Sequence, residues 1–468
     1  MRCILTFAVC SGVLALSIAL WRQGREPQSA RMQVVSGSMM PHLLGPHFRI
    51  PCQNCQHDSV IRADRETQNP VAWRCENCGG NLLASAQTAD ALSGRMNPSP
   101  RIEVKNGGDQ LVVTQIRRLP YRLEVVAFLH DDQPYVKRVW GLPGERIHFE
   151  SGDLFIDGQR FQKSVEQYLQ VAVSVAKLSL RGPRWDHPQH ASQRSESPAT
   201  AEHAAAKETE YEELSQGSVR GLKPGETLAY QHLVPSNVYP SETPPRQWMR
   251  GARLTDDYTF DRSISYALEK VRDVGIELIL AGKLESFVRV TLRADETTIE
   301  LELTPESSAH TARVATDATA RMPSVMVNRH VHIVLCDQRL LLVSDLEKKS
   351  IELVAPPGLN SSPVSNPVLA NAEPRCLHRL PDFTGFELVN LGERTIKLKE
   401  VELTRDLHLR ESKRGRSQDA NAKRTTYAVP DDAVFLLGDH LLDSSDSREF
   451  GAVSTGAIIG SAKVDSPR

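Results

Sequence analysis

Residues 135–150 read YVKRVWGLPGERIHFE. β-Branched and aromatic residues fill the first half, a Gly-Leu-Pro-Gly turn follows at 141–144, and apolar residues resume with Ile147 and Phe149. Side chains of a strand point to opposite faces in turn, so the stretch predicts two strands of a half-buried antiparallel sheet joined by an abrupt turn. Working outward, QLVVTQI, LEVVAFL and GDLFIDGQRF repeat the pattern across 101–158. Alternation returns from about 253 to 410 in SFVRVTLRA, TTIELELTP, HVHIVLCDQRLLLVSD and RTIKLKEVELTRDLHL, at the spacing of a sandwich of two sheets. The polar stretch at about 183–218 has few large apolar residues and no sheet period, as an exposed linker or insertion would.

The chain has 468 residues and a net charge of −2. That length allows two or three domains, and the absence of a basic excess argues against a nucleic-acid partner. From Cys3 to Trp21 run nineteen residues without a charge. This length spans a bilayer as a helix and exceeds the apolar core usual in a cleaved secretory signal, so a retained anchor is the expectation. Arginines stand on both sides of the run, and the charge rule leaves its orientation open. Two Cys-x-x-Cys pairs, Cys52 with Cys55 and Cys75 with Cys78, are separated by nineteen residues. Four thiolates at this spacing suit a closed tetrahedral zinc site of structural character; two disulfides in an oxidising compartment are the alternative. Cys336 and Cys376 stand alone, and no role is assigned to them.

A serine hydroxyl is a poor nucleophile until a base removes its proton, and a lysine serves as that base only when neutral. Burial favours the neutral amine because desolvation penalises the ammonium form. Lys137 sits in the apolar strand among Val136 and Val139, and SGSMMP at 36–41 places two serines on a turn shortly after the apolar run. Taken singly, Ser36 and Ser38 read as turn formers and Lys137 as a solvated charge. Taken in order, the anchor, SGSMMPHL, GDQLVV with YVKRVWGLPGERI, and LGDHLLDSSDSREFGAV at 437–453 form a set.

That set resembles the bacterial type I signal peptidases of the S26 family, membrane-anchored serine proteases with a Ser/Lys dyad. The resemblance implies that Ser38 is the nucleophile and Lys137 the general base. It makes Ser36 a donor to an oxyanion hole together with the backbone N–H of Ser38, and Ser444 the serine that hydrogen-bonds and orients the lysine. Asp446 and Arg448 match a charged pair supporting that loop, and Asp109 a structural position. The chain departs from the family at His440 and Leu441, where Asn-Arg is usual, at Phe450, where Trp is common, and at Ser461, where a basic residue is common. A Ser/His mechanism through His440 is the weaker alternative.

The expected architecture is mainly β. It has a signal-peptidase-type antiparallel β catalytic core, an N-terminal transmembrane helix, an inserted zinc ribbon and an inserted jelly-roll-like β-sandwich. The anchor occupies 1–28 and the core 29–44, 101–165 and 426–468. A zinc-ribbon-like insertion takes 45–100, a polar linker 166–252 and the sandwich 253–425. The resemblance implies endoproteolytic removal of signal peptides from exported preproteins through an acyl-enzyme on Ser38, with no cofactor for the chemistry. The bilayer is then a partner: a single span in the cytoplasmic membrane, amino terminus inside, with residues 29–468 on the extracytoplasmic side. The rival readings are a catalytically silent, membrane-tethered envelope protein that binds protein or glycan through the zinc ribbon and sandwich, and a self-cleaving regulatory protein. If the four cysteines hold zinc, metal analysis of the purified chain gives one zinc ion per molecule, and Cys75→Ser releases it. Metal-free protein with all four thiols blocked gives the site to disulfides instead.

Overall fold

The computed structural model describes residues 29–52, 57–63, 103–105, 107–177, 220–232, 253–256, 258, 268–294, 297–306, 323–352, 383–411 and 425–465, with short paired segments at 185–186, 234–235 and 248–249. The molecule is mainly β, as the alternation predicts. Seven strands lie side by side in the order Ser29–Gln33, Gln110–Thr114, Ile458–Val464, Val125–His130, Gln133–Gly141, Ala433–Leu437 and Val453–Ser454. All pairings in this sheet are antiparallel. Its first strand precedes both insertions and its last follows them, so the sheet closes only when residues far apart in sequence meet.

Period-2 alternation gives this sheet two apolar faces. Leu111, Val113, Ala127, Ile459 and Ala462 share one cluster with Met39 and Leu43. Val126, Phe128, Val139, Val434 and Leu436 form the other. The strand Gln133–Gly141 ends in the predicted turn and the chain enters a smaller sheet, Gln159–Arg160, Asp153–Ile156, Arg146–Glu150 and Tyr427–Ala428. Trp140, Ile147, Phe149, Phe435 and Leu437 pack the two sheets together.

Strands between Val173 and Arg405 form two further sheets. One contains Val173–Lys177, Ile396–Arg405, Val274–Leu280, His330–Cys336, Arg339–Ser344 and Lys348–Glu352, with Arg220–Leu222 also paired to Ile396–Arg405. The other runs Trp185–Asp186, Thr227–Gln231, Phe383–Asn390, Val288–Ala294, Thr297–Pro305 and Ser324–Val327, and only its last pairing is parallel. One apolar cluster, including Ile276, Leu278, Val290, Leu301, Ile333, Leu388 and Leu403, fills the space between them. These strands begin well before 253. Residues 166–252, expected as a polar linker, supply Val173–Lys177, Arg220–Leu222 and Thr227–Gln231 to the two sheets, and the helix Val165–Val171 at their entrance. The strands are short and interrupted by polar sequence, so no long period announced them. Ser164 and Gln167 close the helix start with a reciprocal capping box.

At the other insertion, His47–Pro51 pairs with Asp58–Arg62 and with Glu103–Lys105. Cys52 lies at the end of the first strand, buried, with its N–H donating to the His57 carbonyl at 2.8 Å. Cys55, Cys75 and Cys78 lie outside the described residues, as does the expected anchor at 1–28. No helix among the described residues is long and apolar enough to cross a membrane.

Leu301 is fully buried in the sandwich core and its neighbour Glu300 is exposed. Leu301→Ala should therefore cost about 2–5 kcal/mol in urea unfolding, whereas Glu300→Ala should stay within about 0.5 kcal/mol.

Candidate active site

Ser38 lies on a single 3-10 turn, Gly37–Met39, with Ser36 as its extended N-cap. The turn closes through the Met40 N–H on the Gly37 carbonyl at 3.1 Å, and the Leu43 N–H on the Met39 carbonyl at 3.0 Å continues it. Met39 and Met40 are buried. Met39 packs the turn on an apolar face of the large sheet, Met40 packs with Tyr258 and Leu442, and Ser36 stays exposed. Asp109 grips the far end of this loop. Its carboxylate accepts from the Leu44 N–H at 2.7 Å, its N–H donates to the Leu44 carbonyl at 2.8 Å, and its carbonyl accepts from the Val34 N–H at 2.9 Å.

Lys137 comes from the middle of the strand Gln133–Gly141, opposite Val126. Its side chain is only 2% exposed, and its Nζ stands 2.7 Å from Ser38 Oγ. The Ser36 hydroxyl lies 3.3 Å from the same oxygen. A hydroxyl, an amine beside it and a second hydroxyl on the exposed side make a constellation suited to nucleophilic attack.

Ser444 is fully buried beside Gly438, where a Cβ would stand 2.1 Å from Ser444 Oγ and 2.5 Å from the Ser38 carbonyl oxygen. Glycine is therefore required at 438 by this close approach. The Ser444 hydroxyl has no hydrogen-bond partner in this arrangement, so the bond to lysine that the resemblance implies is not made. Asp446 and Arg448 do meet. Nε and Nη2 of the arginine donate to the two carboxylate oxygens at 2.8 Å each, and Nη2 also reaches the Leu441 carbonyl at 2.9 Å. Asp446 further accepts from the Gly438 N–H at 3.2 Å and caps the helix Ser447–Phe450. The His440 ring packs edge-on against Tyr258 with centroids 4.6 Å apart, and its Nδ1 is 3.2 Å from Nη1 of Arg62. Its backbone N–H donates to the Ser38 carbonyl at 3.1 Å.

Several supporting groups escaped the sequence reading. Arg138, next to Lys137 and pointing to the other face, donates to both oxygens of Asp439 at 2.8 and 2.6 Å, and both side chains are buried. His42 Nδ1 lies 2.8 Å from the same carboxylate and its Nε2 is 3.0 Å from the Ala172 carbonyl. A buried arginine needs a carboxylate, so the Lys-Arg pair inside an apolar strand was a usable signal for Asp439. Arg62 donates to Asp443 at 2.7 Å and lies so close over Gly37 that a Cβ there would meet its Nε at 2.4 Å. The Tyr258 hydroxyl, from the sandwich insertion, donates to the Asp439 carbonyl at 2.7 Å. Neither Arg62 nor Tyr258 carried a signal, since their partners are 381 and 181 residues away.

Burial alone would raise the Asp439 carboxyl, but Arg138 and then His42 hold it well below the usual carboxylate range. A depressed folded value means that the stabilisation is present above the unfolded value near about pH 4 and drains away as pH falls below it. Asp439→Ala leaves the Arg138 guanidinium buried without its partner. It should cost about 3–5 kcal/mol in urea unfolding at pH 7, and the difference from the parent should shrink as the pH of the titration is lowered through this range.

A family profile described as "Signal peptidase, peptidase S26" matches residues 84–226 and 360–465. The matched segments contain Lys137, Arg138, Asp439, Ser444, Asp446 and Arg448; the serine turn precedes them, and the unmatched interval takes in strands of the sandwich from Val274–Leu280 to Lys348–Glu352. No curated protein matches the chain. With just over half of its residues matched, in order and on both sides of the unmatched interval 227–359, the chain belongs to the peptidase S26 signal peptidase family.

Proposed function

We propose that the chain is a membrane-anchored type I signal peptidase that cuts signal peptides from exported preproteins with a Ser38/Lys137 dyad. The observation that carries this reading is the buried Lys137 amine 2.7 Å from Ser38 Oγ, in a chain whose family processes signal peptides. In the forward step Lys137 takes the Ser38 proton as Oγ adds to the scissile carbonyl, giving a tetrahedral oxyanion. The Ser36 hydroxyl and the Ser38 backbone N–H are its donors. Collapse breaks the C–N bond, the lysine returns the proton to the departing amine, and an acyl-enzyme on Ser38 remains. Water, deprotonated by the same lysine, then releases the signal-peptide carboxylate and restores the serine.

The supporting groups have mechanical parts in this reading. Asp109 and the Arg138–Asp439–His42 cluster hold the serine turn against the lysine strand, while Asp446 and Arg448 hold the closing loop. Ser444, buried beside Gly438 next to the Ser38 carbonyl, has the part of orienting the lysine in this reading. Residues 1–28 anchor the chain in the cytoplasmic membrane as a single span with the amino terminus inside, which puts the dyad on the side where signal peptides emerge. Cys52, Cys55, Cys75 and Cys78 hold a structural zinc ion that takes no part in the chemistry; the buried Cys52 just after the strand His47–Pro51 fits a thiolate in such a knuckle.

Purified chain in detergent should cleave a synthetic preprotein, and Ser38→Ala and Lys137→Met should each abolish cleavage while leaving the unfolding transition in place. Ser36→Ala should lower the rate by about 10²–10³, as for one lost oxyanion donor, and Ser444→Ala should also impair it. Near-normal cleavage by Lys137→Met would remove the dyad. Failure of the parent chain to cleave, or to be labelled at Ser38 by a penem-type acylating probe, would favour the silent envelope-protein reading.

A further inference from the structure

Where the smaller core sheet meets the sandwich, a cavity of about 350 Å³ is lined by Asp153, Asp273, Asp406 and Gln338, among others. Asp153 belongs to a core hairpin, Asp273 precedes the strand Val274–Leu280, and Asp337 and Gln338 form the two-residue turn between His330–Cys336 and Arg339–Ser344. One carboxylate oxygen from each of Asp153, Asp273 and Asp337 lies within 4.8 Å of the other two.

The cations nearby do not balance these acids. Lys163 is buried with Nζ at 2.7 Å from Asp337 and 3.0 Å from Asp406, and Arg160 pairs with Asp153 at 2.8 Å. Asp273 has no cationic partner among the described residues; its Oδ2 accepts only the Asp337 N–H, at 2.9 Å. Glu150 and Arg272, which also line the cavity, offset one another. Four aspartates against Lys163 and Arg160 leave an excess of two negative charges in a desolvated place.

Gln338 supplies an independent sign. It is 9% exposed, it lines the same cavity, and its Oε1 has no hydrogen-bond partner. A buried amide oxygen left without a donor is destabilising unless something positive faces it.

We infer that this cavity is a binding site for a divalent cation of the calcium class, held by Asp153, Asp273, Asp337 and the Gln338 amide oxygen. The donor set is all oxygen, which selects a hard ion over zinc or copper. Calcium takes six to eight oxygens at about 2.3–2.6 Å in adaptable geometry, so two oxygens on one ion stand at most about 5.2 Å apart, and the three carboxylate oxygens, all within 4.8 Å of one another, meet that bound. Magnesium demands a near-ideal octahedron and usually keeps several waters, binding through one or two carboxylates, so a set of four protein oxygens suits calcium better. A divalent ion also cancels the excess charge. Its ligands come from the core hairpin on one side and the sandwich on the other, so the ion ties the insertion to the peptidase core.

The test uses the full-length chain in detergent, stripped with chelator and titrated calorimetrically with calcium chloride. Binding below about 1 mM is expected, with a rise in unfolding temperature of a few degrees at saturation. Magnesium should bind at least about tenfold more weakly; equal affinity overturns the calcium-class assignment. Asp273→Asn should weaken calcium binding at least about tenfold and, by relieving repulsion, raise the unfolding temperature of the metal-free protein. If that variant does not fold, Gln338→Leu gives the second reading, with weaker calcium binding expected. Glu277→Gln, in an acid and histidine cluster elsewhere on the sandwich, should leave binding unchanged. No calcium binding up to about 10 mM, a range that covers weak extracellular sites, overturns the proposal, as does unchanged binding in Asp273→Asn or in Gln338→Leu.

Discussion

The ion pair between Arg138 and Asp439 is the constraint on which the site depends. Arg138 is the immediate neighbour of Lys137, and strand geometry sends the two side chains to opposite faces. Anchoring one therefore orients the other. Asp439 belongs to the closing loop, and His42, four residues after the serine, leans on the same carboxylate. Three segments from distant parts of the chain thus converge on one buried group. Desolvating a guanidinium and a carboxylate is costly, and only a bidentate geometry with further donors offsets it. The arrangement found here meets that condition: both oxygens of Asp439 are taken by Arg138, and the arginine also reaches the Leu123 carbonyl at 3.0 Å.

The two insertions take part in the site's support. Arg62, from the cysteine-bearing segment, lies over Gly37 and bonds to Asp443, which couples the serine turn to the closing loop from outside. Tyr258, from the sandwich, bonds to the Asp439 main chain, packs on His440, and lies under the Arg405 guanidinium at 5.0 Å. Its hydroxyl is fully buried, and burial pushes it up to about 12, so it acts as a neutral donor. His440 stands where the resemblance leads one to expect Asn. Here its ring is used for packing against Tyr258 and facing Arg62, and its main chain holds the Ser38 carbonyl. A mechanism that drew on this ring as base would have to remove it from those contacts.

Much of the fold was legible because strands declare themselves locally. The alternation around Lys137, the turn after Gly141 and the long strands of the sandwich all appear in windows of a few residues. The strands at 173–177, 220–222 and 227–231 did not, since a strand of three to five residues amid polar sequence is stabilised by its neighbours in the sheet more than by its own pattern. Arg220–Leu222 pairs with Ile396–Arg405, a partner that no local window contains.

At the candidate site, the sequence by itself determined the identity and order of the groups: a serine turn, a lysine in an apolar strand, and a Gly-Asp loop with an acid and an arginine. Residue types, spacing and order are local properties, and they suffice to propose a chemistry. The tertiary structure alone decided that Lys137 reaches Ser38 at 2.7 Å, that Ser444 lies against Gly438 without bonding the lysine, and that Arg62 and Tyr258 reach in from the insertions. Distances of this kind depend on how sheets stack and where loops are pinned, and those follow from burying apolar faces and pairing buried charges across hundreds of residues. No stretch of the chain records them on its own.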